Sequence, residues 1–233
     1  MAWLTGRLLS KSRARDQGNA ILAGQEGRMV NIGGGGPMRR PEWASIIRRC
    51  PEYNGDYVVI VDAQTYLDLL GRGPKRAEVP GLDRWNDELV WLFNSPRSEV
   101  RIKMNGQIYE ELVGMKVPAS LRATQKVFID EYRSSGKIFL DTGNVPFSAA
   151  TGKQSVFTNL RLALRETGNL GAGDLEIASD AITNNLQIVS HDVRFMDGLD
   201  KALRASKVRA ILKANGLPDD IGKIFISPTR SAL

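Results

Sequence analysis

From residue 55 onward the chain switches repeatedly between two hydrophobic rhythms. DYVVIVD opens with a run of β-prone residues and closes on Asp62. An unbroken run of that length fits a strand buried on both faces, as in a parallel sheet. A helix is expected from about Thr65 to the breakers at Gly71–Pro74. GLDRWNDELVWLFNS is the next helical segment, with Leu82, Trp85, Leu89, Leu92 and Phe93 on one face. EVRIKM alternates like a strand, and GQIYEELVGM follows it with Glu110 and Glu111 near a helix start. PASLRATQKVFIDEYRSSG is an amphipathic helix closed by glycine. KIFLD reads as a short strand and QSVFTNLRLALRETG as another helix with a glycine stop. GDLEIASDAITNNLQIVSHDVRF supplies a helix, a break, a strand and then Asp192. LDKALRASKVRAILKANGLP predicts one last amphipathic helix, ended by Gly216 and Pro218, and KIFIS a last strand. Strands alternating with helices predict an α/β fold with a mainly parallel sheet. In such folds ligands bind at the carboxyl ends of the strands, near a switch in strand order.

Residues 1–54 have a different texture. NIGGGGPMRRPEW reads as a flexible linker or hinge. It lacks the spacing of a phosphate-cradling glycine loop, and no convincing strand precedes it. The expected division is therefore a basic, glycine-rich segment over 1–54 and one α/β domain over 55–233. Charge supports the split. The chain has 233 residues and a formal charge of +6, but the first fifty residues carry nine Lys and Arg against three Asp and Glu, leaving 23 of each in the rest. A basic arm beside a neutral body fits an anionic partner such as nucleic acid, and equally a solvated leader.

Composition narrows the chemistry. The single cysteine, Cys50, excludes an internal disulfide and a thiolate zinc site. The single histidine, His191, excludes a two-histidine nuclease and an HExxH site. Hydrolysis would then run on carboxylates, which hold hard cations such as Mg²⁺ or Mn²⁺. No apolar run is long enough to span a bilayer.

The strand-end rule makes four acids stand out. Asp62 ends the first strand, Asp192 follows LQIVS, Asp174 begins the helix leading into that strand, and Glu110 or Glu111 follows EVRIKM. Each has an ordinary reading. Asp174 can cap a helix, Asp192 can make a turn, and Glu111 can favour a helix dipole. Asp62 is harder to dismiss, because a buried apolar strand rarely ends in a carboxylate without a partner. Ile177, Ala178, Ala181 and Ile182 recur at helical spacing from Asp174 and put it on the core-facing stripe. Converging carboxylates repel unless protonated or bridged by cations. Glu176 and Asp180 read as surface charges.

These motifs resemble those of PIN-domain ribonucleases. VVIVDAQTYLDLL resembles the opening strand and helix, QIYEELVG the second acidic motif, GAGDLEIASDAI the third, and LQIVSHDVRF the last. They occur in the family's order over roughly residues 57–195. The resemblance implies a three-layer α/β/α sandwich around a mainly parallel sheet, and Mg²⁺ or Mn²⁺ held by Asp62, Glu111, Asp174 and Asp192, with Glu110 as the alternative to Glu111. It implies metal-dependent hydrolysis of RNA. His191, Arg194 and Lys153 are candidate substrate contacts. Gln64 departs from the family, where Asn or Ser is usual. KIFLDTGNV imitates the opening motif, but Asp141 stands too close to Asp174, and it fits better as a short central strand. The layout also resembles PIN-like toxin domains of bacterial polymorphic toxins. That implies an immunity protein or antitoxin as partner, delivery as a secreted effector, and action in a cytoplasm. The alternatives are an inactive PIN-like module binding nucleic acid or protein, a PIN-like DNA nuclease, and a nucleotide-binding domain using the glycine run.

Overall fold

The computed structural model describes residues 40–70, 82–141, 153–218 and 223–225. The four-glycine stretch and most of the basic arm lie outside the described residues, as do the side chains of Leu82 and Trp85.

A short 3-10 segment, Glu42–Ile46, leads into β1 (Arg49–Cys50) and β2 (Asp56–Val61). α1 (Ala63–Leu69), α2 (Leu82–Asn94), β3 (Arg101–Asn105), α3 (Gly106–Val113), α4 (Ala119–Ser134) and β4 (Ile138–Asp141) follow. The second half contributes α5 (Gln154–Gly168), α6 (Ala172–Thr183), β5 (Gln187–Ser190), α7 (Val193–Arg204), α8 (Ser206–Ala214) and β6 (Lys223–Phe225). The order across the sheet is β4-β3-β2-β5-β6, with every neighbouring pair parallel. Among the described strands, only β1, antiparallel to β2, departs from this. The fold is thus α/β with a mainly parallel sheet. Consecutive residues are buried along β2, β3 and β5, so both faces of the sheet are covered. Among the described residues no helix is long and apolar enough to cross a membrane.

This order sets the position of the site. From β2 the chain steps outward to β3 and β4, then crosses back to β5 on β2's other side. The switch point is therefore the crevice between the carboxyl ends of β2 and β5. Val61 pairs with Val189, so the residues just past each strand emerge side by side.

Several expectations need correction. The boundary at residue 54 does not separate two units. Ala44, Ile47, Cys50 and Tyr53 belong to the main core, and β1 hydrogen-bonds to β2. Gln187 fixes this segment further, accepting from the Arg48 amide at 2.5 Å and donating to the Ile46 carbonyl at 2.8 Å. The chain reverses between β1 and β2 through Asn54 and Gly55, both at positive φ (57° and 77°), which glycine accommodates freely. KIFLD is not central, since β4 ends the strand order. The last predicted helix is two. Ala205 is extended (φ −70°, ψ 136°), so α7 can bury Phe195, Met196 and Leu199 while α8 separately buries Val208 and Leu212.

Asp180 is not a surface charge. It is 8% exposed and accepts from Lys103 Nζ at 2.6 Å, Asn105 Nδ2 at 3.2 Å and Asn184 Nδ2 at 2.8 Å. Lys103 also reaches Asp141 at 3.1 Å, which gives the decoy aspartate a structural role. Burial alone would lower the Lys103 ammonium, but Asp180 and then Asp141, among other neighbours, raise it above its usual value. Glu176 is half-buried and pairs with Arg161 at 3.0 Å.

Candidate active site

Asp62 follows the last residue of β2 and serves as the cap of α1. Its Oδ1 accepts the Thr65 amide at 2.6 Å. This satisfies one orphan donor of the helix and fixes the carboxylate's direction. Its Oδ2 is buried without a hydrogen-bond partner. Burial pushes the carboxyl up to about 6; bonds from Thr65 and the nearby His191 ease that, and Asp192 adds to it.

Across the crevice, β5 ends at Ser190, whose hydroxyl accepts the Asp192 amide at 3.0 Å. Asp192 is the N-cap of α7. Its Oδ1 accepts the amides of Arg194 (2.8 Å) and Phe195 (3.1 Å). Asp192, expected as a turn residue, is thus a helix cap, whereas Asp174, expected as a cap, does not cap its helix. His191, between them, brings its Nδ1 to 3.2 Å from Thr65 Oγ1. Two residues that leave adjacent strands are thus tied by a side-chain contact over the switch point.

Asp174 is the third residue of α6, and Gly171 is the cap. Burial raises the Asp174 carboxyl; a backbone bond from Gly171 opposes the rise and Asp192 reinforces it. Asp192 thus adds a smaller upward push to both Asp62 and Asp174. The fourth acid comes from α3. A Cβ placed on Gly173 would overlap Glu111 Oε1, so the Glu111 carboxylate lies against the residue preceding Asp174. Gln107 holds it there, donating to Oε1 at 2.6 Å. Glu110, one residue away, lines a separate cleft toward α5.

The substrate candidates divide. His191 is in the site by contact. Arg194 is exposed in the first turn of α7, two residues past Asp192. Lys153 is elsewhere. Its Nζ donates to Glu52 at 2.9 Å and to the Thr183 carbonyl at 3.1 Å. Thr183 closes α6, nine residues from Asp174, or roughly 13 Å along the helix. Lys153 is a staple between α6 and the β1–β2 connection, and Arg or Lys identity alone gave no way to tell the two apart.

Thr65 and Gln107 are site residues that motif reading passed over. Thr65 had a legible signal, an acid three residues before it at a strand-to-helix junction. Gln107 had one too, four residues before Glu111 on a helix.

The donor set is all oxygen, suited to a hard divalent cation. The unpartnered Asp62 Oδ2, and the burial that, with a smaller push from Asp192, raises Asp62 and Asp174, are what a cation would relieve. Among the described residues, no three His, Cys, Asp or Glu side chains stand close enough together to hold an ion as they are. The acids share an edge and a field without forming a closed cage. In comparison with known proteins, the chain matches no family model, no curated protein and no solved structure.

Proposed function

We propose that this chain is a metal-dependent, PIN-like nuclease that hydrolyses RNA phosphodiester bonds. The observation that carries this reading is the buried, unpartnered Oδ2 of Asp62 at the switch point, where the pairing of Val61 with Val189 brings out the β2 and β5 acids on one edge. Carboxylates that share one strand edge repel one another, and a divalent ion is the simplest counter-charge.

Asp62, Asp174 and Asp192 would hold Mg²⁺ or Mn²⁺, with Glu111 beside them. When bound, such an ion lowers the pKa of its water and neutralises the leaving oxygen of an in-line displacement. The chain's own residues do the rest. Thr65 locks Asp62 in one rotamer, and the α7 amides do the same for Asp192. Gln107 orients Glu111. His191 stands at the mouth of the crevice, where it can donate to a phosphate oxygen, and exposed Arg194 adds positive charge for the backbone of the strand. The finer fold follows the same reading: a three-layer α/β/α sandwich of PIN type. So do a bacterial toxin role, an immunity protein or antitoxin as partner, and action in a cytoplasm.

The test is cleavage of RNA and DNA with Mn²⁺, with and without EDTA, by wild type, Asp62→Asn and Asp174→Asn. Loss of cutting with EDTA and in both variants is expected. Undiminished cutting by the variants would overturn the site. A second reading, an inactive PIN-like binding module, is favoured by Gln64 and by the absence of a closed cage among the described residues. It predicts RNA binding with no cleavage and no stabilisation by Mn²⁺.

A further inference from the structure

Beside the acidic edge, a cleft of about 660 Å³ opens between α3 and α5, over the first turns of α6. Gln107 lines it and also holds Glu111, so the cleft adjoins the proposed cleavage site. Its lining includes two aromatic rings, Tyr109 and Phe157. Phe157 is 8% exposed yet is not part of the main hydrophobic core. It lines the cleft as a buried apolar wall. The charged members are Arg161, Glu176 and Glu110.

This lining discriminates among ligands. Two carboxylates against one guanidinium disfavour a phosphate group. Aromatic surface favours a flat heterocycle, since base–aromatic stacking is what single-stranded RNA offers most readily. The polar pair then selects the base. Arg161 Nε bonds Glu176 Oε2 at 3.0 Å, which leaves a guanidinium with five N–H donors and a carboxylate with about four acceptor sites capacity for more. Guanine carries two adjacent donors, N1–H and the N2 amino group, that fit one carboxylate. It also carries two adjacent acceptors, O6 and N7, that fit a guanidinium. Adenine lacks the N1 proton, and the pyrimidines lack the second acceptor pair.

We propose that this cleft is a base-selecting subsite that seats a guanine of the RNA strand, with Glu176 accepting from its Watson–Crick edge, Arg161 donating to O6 and N7, Tyr109 stacking on the ring and Phe157 forming an apolar wall beside it. The inference rests on the nuclease reading for its ligand class. Its test is binding, which does not depend on turnover.

Fluorescently labelled hexameric oligouridylates carrying one central G, A, C, U or inosine are titrated against Asp62→Asn protein in EDTA. The G oligomer should bind roughly 10- to 100-fold tighter than the A, C and U oligomers, with inosine between. Glu176→Gln and Arg161→Leu, each introduced into the Asp62→Asn protein, should erase the preference, and Tyr109→Ala should weaken all five. Melting of each variant checks that it is folded. Equal affinities for all bases, or a preference unchanged in folded Glu176→Gln, would overturn the subsite. So would no binding by any oligomer. Cleavage by wild type without base preference would sink the subsite and leave the nuclease reading standing. A guanine preference in a protein that never cuts would do the reverse.

Discussion

The carboxylate of Glu111 fills the space where a side chain at Gly173 would begin. That relationship couples α3 to the first turn of α6 and makes a small substitution informative. Gly173→Ala should not harm folding. Alanine favours helix by up to about 1 kcal/mol over glycine, and the atom it displaces is the end of an exposed, flexible side chain. It should move Glu111 away from Asp174. We expect an unchanged or raised melting temperature together with at least a tenfold loss of Mn²⁺-dependent cleavage. Wild-type cleavage in the folded variant would remove Glu111 from the site.

Asp62 predicts a pH dependence whose sign differs from that of a salt-bridged acid. Burial raises its carboxyl to about 6 in the folded protein, above the ordinary 3.8. The folded state therefore holds the proton more tightly than the unfolded state. This contribution to stability is fully present below pH 4 and is lost as pH rises through about 6. Asp62→Asn keeps an oxygen for the Thr65 amide but has no such titration. In metal-free buffer the variant should be at least as stable as wild type at pH 8 and lose that advantage by pH 4. Thermal melts across this range check it, and an advantage that grows on acidification would contradict the assignment.

Lys103 lies at the opposite extreme, a buried cation with two carboxylate partners. Its side chain is 1% exposed. Lys103→Met would leave Asp180 and Asp141 without it, and should cost about 3–5 kcal/mol, as removal of one partner of a buried pair does. Because the penalty comes from the stranded charges, Lys103→Met combined with Asp180→Leu should lose less than the sum of the two singles. Urea unfolding of the four proteins measures this. Strict additivity would mean that Lys103 and Asp180 do not stabilise each other.

The two aspartates on α6 explain how far sequence could lead. Helix spacing told inward from outward for Asp174, but it left Asp180 on the surface. The partner that buries Asp180 is Lys103, 77 residues earlier on β3, and no local pattern carries that pairing. Strand and helix placement was legible because the apolar rhythm is local. The attachment of residues 41–54 was not, since Gln187 and the β1–β2 pairing hold it from a distance. The break at Ala205 was masked by two apolar stripes of similar spacing. Lys153 and Arg194 were alike as basic residues, and only the fold separated a staple from a side chain beside the crevice.

Asp192 both caps α7 and belongs to the acidic group, and two substitutions separate those roles. Asp192→Asn retains an oxygen for the amides of Arg194 and Phe195 while losing the charge. Asp192→Ala loses both and should cost about 1 kcal/mol in metal-free stability. If the charge matters only through the site, Asp192→Asn should melt near wild type without metal. It should then gain far less than wild type when Mn²⁺ is added, because an ion that binds only the folded state stabilises in proportion to its affinity. Its removal should also lower the carboxyl groups of Asp62 and Asp174 toward their ordinary range, since Asp192 raises both. Calorimetric melts with and without Mn²⁺, with NMR titration of the two carboxyls, give both readouts. Full Mn²⁺ stabilisation of the Asn variant would show that Asp192 is a helix cap and nothing more.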